Sequence, residues 1–154
     1  MRFLELRIPP PLVGLIIAGA MWVIASSLPP LLPLPASIRL PAAVILTLAG
    51  VAIGLSGVIS FRRAQTTVNP LKPETSTSLV STGIYRITRN PMYLGMLAVL
   101  LAWAAYLPSV LALLGPVAFS LYITRFQIIP EERALHSLFG AAFVEYTHKV
   151  RRWL

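Results

Sequence analysis

Two short stretches of the chain carry residue types that can do chemistry at useful spacing. The first is Gly83-Ile84-Tyr85-Arg86-Ile87-Thr88-Arg89-Asn90-Pro91-Met92-Tyr93-Leu94-Gly95, with two arginines three residues apart and an Asn-Pro step leading into an apolar run. Guanidinium groups placed like this can hold an anion through paired N–H donors. They can equally snorkel at a membrane edge and set topology, with the tyrosines as members of an interfacial belt. The second stretch is Arg125-Phe126-Gln127-Ile128-Ile129-Pro130-Glu131-Glu132. Its adjacent carboxylates can accept hydrogen bonds from a cationic or hydroxyl-bearing ligand, or merely complement a helix start at about 0.3–1 kcal/mol each. Taken singly, the plainer readings are the commoner. The distribution weighs against them, because Glu131, Glu132 and Glu145 are three of only five acids and stand opposite a loop rich in arginines and hydroxyls.

Other chemistries are excluded by composition. There is no cysteine, which removes thiol nucleophiles, disulfides and thiolate metal sites. The two histidines, His136 and His148, are twelve positions apart with no third ligand near, so no metal centre is expected. At 154 residues the chain is one domain. Hydrophobic residues make up 56% and charged residues 12%, about half the usual charged share, with mean hydropathy +0.77. A soluble enzyme, a disordered chain and a coiled coil all fit this poorly. Thirteen Lys and Arg against five Glu give a formal charge of +8, which in a soluble protein would suggest nucleic acid. Here the basic residues lie between apolar runs, so membrane lipid is the expected partner and nucleic acid is not.

The elements that must position the two clusters are helices in a bilayer. A hydrocarbon core of about 30 Å takes roughly 20 apolar residues. The apolar pattern predicts an all-α, polytopic membrane protein with about four transmembrane helices, over 12–28, 40–61, 91–107 and 108–126. Pro9, Pro10 and Pro11 introduce the first span and Pro29 and Pro30 close it; a cleaved leader is the rival reading of this segment. In the second, Gly50 and Gly54 are spaced for close helix approach. The uncharged run from 91 to 123 is too long for one span and must fold back, best at Leu107, Pro108 and Ser109, as a tight helical hairpin with short arms. A loop over 62–90 and a tail over 127–154 remain. The tail reads as cytoplasmic helices: one starting at Pro130 with both acids in its first turn, a break at Gly140, then an interfacial amphipathic helix with Phe143, Tyr146, Val150 and Trp153 on its apolar face. Four crossings put twelve of the thirteen basic residues, all but Arg39, on one side. That side is expected to be cytoplasmic, with both termini there, in a bacterial inner membrane. The spans carry no charge suited to an ion or proton path, so chemistry is expected at this face.

The stretch Leu79 to Tyr85, then Arg89-Asn90-Pro91-Met92-Tyr93-Leu94-Gly95, then Glu131-Glu132 with Leu135, Phe139-Gly140 and Tyr146, resembles the isoprenylcysteine carboxyl methyltransferase family in order and spacing over roughly the last 90 residues. The related phosphatidylethanolamine N-methyltransferases share the paired-Glu feature. The resemblance implies an integral-membrane methyltransferase using S-adenosylmethionine and acting on a lipophilic acceptor, a carboxylate or an amine. It implies that Thr77, Ser78, Leu79, Val80 and Tyr85 line a cofactor pocket closed by Asn90, Pro91, Met92 and Tyr93, with Glu131 and Glu132 accepting from the cofactor's polar groups. Arg86 or Arg89 would orient an anionic acceptor. No glycine-rich dinucleotide fingerprint is present.

The chain departs from the eukaryotic members at two positions. Asn90 stands where they have His, and Gln127 where they have an arginine associated with substrate; Arg125, two residues earlier, or Arg89 could take over that charge. Two other readings stand beside this one: an NADPH-dependent membrane reductase of the sterol type, whose C-terminal half is organised similarly, and a non-catalytic membrane scaffold.

Overall fold

A computed structural model of the chain describes residues 4–28, 35–65, 71 and 73–154. Arg2, Pro29, Pro30 and Lys72, which entered the reading of the spans, lie outside them. Helices, helical turns and connecting segments account for the described residues. Helix α1 is Pro10–Ser27, α2 is Ala36–Arg63 and α3 is Pro91–Tyr106. A 3-10 turn, Val110–Leu113, leads into α4, Leu114–Ile123; a π turn, Thr124–Ile128, then joins α4 to α5, Ile129–Lys149. Three of these stretches, Pro10–Ser27, Ala36–Arg63 and Val110–Lys149, are long and apolar enough to cross a membrane, while α3 is a shorter apolar helix of 16 residues. Their outer surfaces carry large apolar side chains: Leu15, Ile45 and Leu121 are each about two-thirds exposed or more. An all-α chain that leaves such side chains facing outward fits a multi-pass membrane protein.

Local sequence explains most boundaries. Pro10 and Pro11 occupy the first turn of α1, where their missing N–H groups are not required. The chain between α3 and α4 is extended at Leu107 and Ser109, around Pro108. Helix α2 begins about a turn earlier than its apolar run, with Pro41 inside, at the cost of one ladder bond close to the helix start.

Two cores result. The larger lies between the helices, with Val13 and Met21 of α1, Leu100 and Ala104 of α3, and Phe119 and Ile123 of α4. The smaller joins the loop to the tail: Val80 and Tyr85 pack with Phe143, Tyr146 and Val150. The bundle has two chemically different ends. At one, Arg39 Nη1 donates to the Tyr106 carbonyl at 2.5 Å. At the other, the start of α1, the end of α2, the start of α3 and the π turn meet, and the remaining described basic residues cluster.

The tail differs from the sequence reading in two respects. Pro130 does not open a separate helix: the backbone is helical from Leu114 through the π turn into α5, so Glu131 and Glu132 do not face a free N-terminus and the dipole account of them falls. A proline inside a helix leaves a carbonyl four residues back without its N–H. Here that carbonyl, of Phe126, accepts instead from Leu6 N–H at 3.0 Å. In addition, Phe143, Tyr146 and Val150 are buried against the loop, so this face is a protein core and not an interfacial surface. Gly140 does break the tail, with φ 48° and ψ −121°.

Gly95 and Gly140 are required for two different reasons. A Cβ on Gly95 would lie 2.5 Å from the Gly50 carbonyl oxygen and 2.9 Å from the Gly54 nitrogen, both backbone atoms of α2 that cannot yield singly. Gly95→Ala is therefore expected to destabilise the protein by about 1–3 kcal/mol. Gly54→Ala, where an added Cβ meets nothing within 4 Å, should not; thermal unfolding of both in one detergent decides this. At Gly140 there is room, but the dihedral angles exclude a side chain. Gly140→Ala is expected to cost about 1–3 kcal/mol and to raise proteolysis selectively beyond residue 140.

Candidate functional site

The first turn of α3 supplies the centre of the site because Pro91 and Asn90 start that helix under the end of α2. Pro91 and Met92 pack tightly against Gly57, where an added Cβ would lie 3.0 Å from Met92 Cγ and 3.1 Å from Pro91 Cγ. One turn of helix then presents Tyr93 to the tail, where its hydroxyl donates to Glu131 Oε1. Glu132 is held from two sides. Arg89 Nη2 lies 3.1 Å from its Oε1, and Arg152 reaches it with two parallel donors, Nε to Oε1 at 3.1 Å and Nη2 to Oε2 at 2.6 Å. A fork of this kind is the strong form of a guanidinium–carboxylate pair.

The C-terminus completes the frame through backbone groups. Arg89 N–H donates to the Arg151 carbonyl at 3.0 Å, and Asn90 Nδ2 to the Arg152 carbonyl at 2.9 Å. Tyr146 hydroxyl donates to the Tyr85 carbonyl at 2.7 Å. Burial pushes the Tyr85 phenol well above its ordinary pKa, with Tyr146 and Glu131 adding to it, so this side chain stays neutral.

Between these groups is a cavity of about 100 Å³. Of the residues singled out in the sequence, Ser78, Leu79, Val80 and Tyr85 line it from the loop side. Arg89, Asn90, Met92 and Tyr93 line it from the start of α3, and Glu131 and Glu132 from α5. Five others are placed elsewhere. Arg86 is exposed, Thr77 donates to the Gln65 carbonyl at 3.4 Å, and Pro91 is buried against Gly57. Arg125 pairs with Glu5 at 2.9 Å, and Gln127, fully buried, donates to the Ile8 carbonyl at 2.8 Å. The sequence reading missed Phe61, Ser76, Ile128, Leu135, Phe143 and Tyr146 as lining residues. Phe143 and Tyr146 stood on the face taken as interfacial; their recurrence every three or four residues was the right signal attached to the wrong environment.

The lining combines carboxylates and guanidinium with apolar and aromatic walls. The Nε–H of Arg89 is buried with no partner among the described residues. An unmet donor of that kind marks a place for an anionic or carbonyl oxygen. Such a site can bind a small zwitterion that carries an apolar or aromatic part. Below it, between α1, α2 and α3, runs an apolar groove of about 820 Å³, lined by residues such as Leu15, Gly50, Val51, Val99 and Trp103. Met92 belongs to both walls, so groove and cavity adjoin.

The chain is similar to the phospholipid methyltransferase family over residues 38–142. An uncharacterized protein of Haemophilus influenzae is 51% identical over 63 residues, which is 41% of this chain and the whole of that protein. A probable protein-S-isoprenylcysteine O-methyltransferase of Oryza sativa subsp. indica is 32% identical over 114 residues, covering 71% of this chain and 58% of the plant protein. Protein-S-isoprenylcysteine O-methyltransferase A of Arabidopsis thaliana is 32% identical over 110 residues, 69% of this chain and 54% of its own length. The chain thus spans little more than half of these plant relatives. No solved structure matches it. With most of its length matched, from α2 through the acid pair to the tail, the chain belongs to the phospholipid methyltransferase family.

Proposed function

We propose that this protein is an integral-membrane methyltransferase that takes the methyl group of S-adenosylmethionine and delivers it to a lipophilic carboxylate or amine at the bilayer face where its basic residues cluster. The observation that carries this is the junction at Met92 of a charged cavity and an apolar groove, one suited to a water-soluble zwitterion and the other to a chain from the lipid phase. In this reading the chain crosses four times, α3 and α4 forming a helical hairpin, and both termini, the loop and the tail are cytoplasmic.

The residues present fit the donor's polar end. The unpartnered Arg89 Nε–H suits its carboxylate, and Glu131, which receives Tyr93 at one oxygen, has a second to accept from an ammonium or hydroxyl group. Phe61, Leu79 and Phe143 suit its planar, less polar part. At about 100 Å³ the cavity is smaller than the roughly 300–1,000 Å³ usual for small-molecule sites. Its loop wall, built of extended chain and short turns, is the side that widens most readily.

Bound there, the sulfonium would supply an electrophilic methyl group that needs alignment more than activation. The protein's part follows from its own groups. Tyr93 holds Glu131 in place, and the guanidiniums of Arg89 and Arg152 hold Glu132 oriented. The walls shared with the groove exclude water and bring an acceptor's head to Met92. A carboxylate acceptor needs no base, whereas an ammonium acceptor must first lose a proton.

Titration calorimetry in nanodiscs should show saturable binding of S-adenosylmethionine and its demethylated product. Arg89→Gln is expected to weaken it by about 10- to 100-fold, the loss of a charged hydrogen bond, and Glu131→Gln to weaken it about 10-fold through loss of an acceptor in the cavity. Binding of NADPH alone would move the protein to the reductases, and no nucleotide binding by folded protein would leave a scaffold. Val51→Trp, which fills the groove, is expected to abolish methylation of lipophilic acceptors while donor affinity stays within twofold or so; radiolabelled methyl transfer to a panel of single-chain carboxylates and amines checks it.

A further inference from the structure

Arg125 and Gln127 were singled out by the sequence, yet neither reaches the cavity; both hold the N-terminal arm instead. Three ties connect residues 5–8 to the junction of α4 and α5. Glu5 accepts from Arg125 Nη1 at 2.9 Å and from Arg133 Nη2, the first arginine inside the π turn and the second beyond Pro130 in α5. Leu6 N–H donates to the Phe126 carbonyl that Pro130 leaves unpaired, and Gln127 Nε2 donates to the Ile8 carbonyl. The arm pays for this geometry with strain at Leu6, whose φ of 57° is rare for a branched side chain and persists only where surroundings enforce it. The Glu5 side chain is only 13% exposed, and hydrogen bonding from Arg125 foremost holds its carboxyl below the usual carboxylate range, so it is charged at neutral pH.

A π turn followed by a proline is where a long helix can bend or rotate, since the ladder of backbone bonds is interrupted there. One residue of helix is about 100° of rotation, and Glu131 and Glu132 lie within one turn of the gap. A modest rotation of α5 against α4 would take Glu131 off Tyr93 and Glu132 off Arg89. We infer that Glu5 is a positioning residue of the site: by gripping Arg125 and Arg133 across the gap it fixes the angle at which α5 presents its two acids to the cavity. This rests on the reading of the cavity as the methyl-donor site. Glu5 itself does not line the cavity and acts through Glu131 and Glu132.

The test compares wild type, Glu5→Gln and Glu5→Asp in nanodiscs by calorimetric titration with S-adenosylmethionine and by amide hydrogen exchange without any nucleotide. Glu5→Gln is expected to raise the dissociation constant about tenfold, with Glu5→Asp recovering most of the loss. In the Glu131→Gln background the same change should add less than it does alone, because the part of its effect that runs through Glu131 is already lost. Exchange at residues 131–135 should quicken about tenfold or more while α2 and α3 keep their rates. Unchanged affinity in Glu5→Gln, or a loss that adds fully to that of Glu131→Gln, overturns the inference, as does faster exchange spread over the whole molecule. If wild type binds no S-adenosylmethionine, the proposed function falls, and exchange still decides the brace: local acceleration supports it and an unchanged profile overturns it.

Discussion

The contact on which the rest of the structure depends is the backbone approach of α2 and α3 at Gly50, Gly54 and Gly95. Lipid tails are as apolar as leucine, so helices in a bilayer gain little from hiding apolar side chains against each other. Close packing of small residues takes over that task. Because α2 and α3 meet at their backbones, the end of α2 reaches over the start of α3, with Gly57 against Pro91 and Met92. That overlap brings Phe61 and Tyr85 together edge to face, with centroids 5.4 Å apart, as one wall of the cavity. The same approach leaves room on the α1 side, and the apolar groove is that room.

Polar chemistry is confined to one end because charges inside hydrocarbon are expensive while those at its edge are not. Even at the edge, Glu132 is largely shielded, its side chain 20% exposed, and is stabilised by two guanidiniums from opposite directions of the sequence, Arg89 and Arg152. Removing one partner of such an arrangement leaves a charge uncompensated, which costs more than the pair contributes. The network therefore specifies geometry more than it adds stability. Its members come from the loop, the tail helix and the last residues of the chain, and the backbone bonds from Arg89 and Asn90 to residues 151 and 152 keep that last segment in register with them.

Pro130 shows how one residue links helix mechanics to the site. In isolation it signals a helix start, and the acids after it look like dipole complements. In the fold the apolar arm of α4 continues into α5, and the proline becomes an interior defect absorbed by a π turn and by the Leu6 N–H. Residues that looked like substrate ligands by position, Arg125 and Gln127, are consumed in that repair. The defect leaves the acids adjustable, and the N-terminal arm limits the adjustment.

Much of this was legible in the residues. Hydropathy and proline placement determine the helical segments, since a bilayer accepts few other ways of pairing a backbone, and the bend at Leu107 to Ser109 and the break at Gly140 follow from local chemistry. The family resemblance carried by the stretch around Arg89 and Tyr93 and by the paired acids, and not spacing alone, pointed to most of the cavity wall. Tertiary structure alone decided what those side chains touch. The Tyr93–Glu131 bond spans 38 positions, Arg125–Glu5 spans 120, and the face of Phe143 and Tyr146 meets a loop and not a membrane. Periodicity reports that a face is apolar; it carries no information about which apolar surface covers it, because burial against protein and burial in lipid ask the same of a side chain.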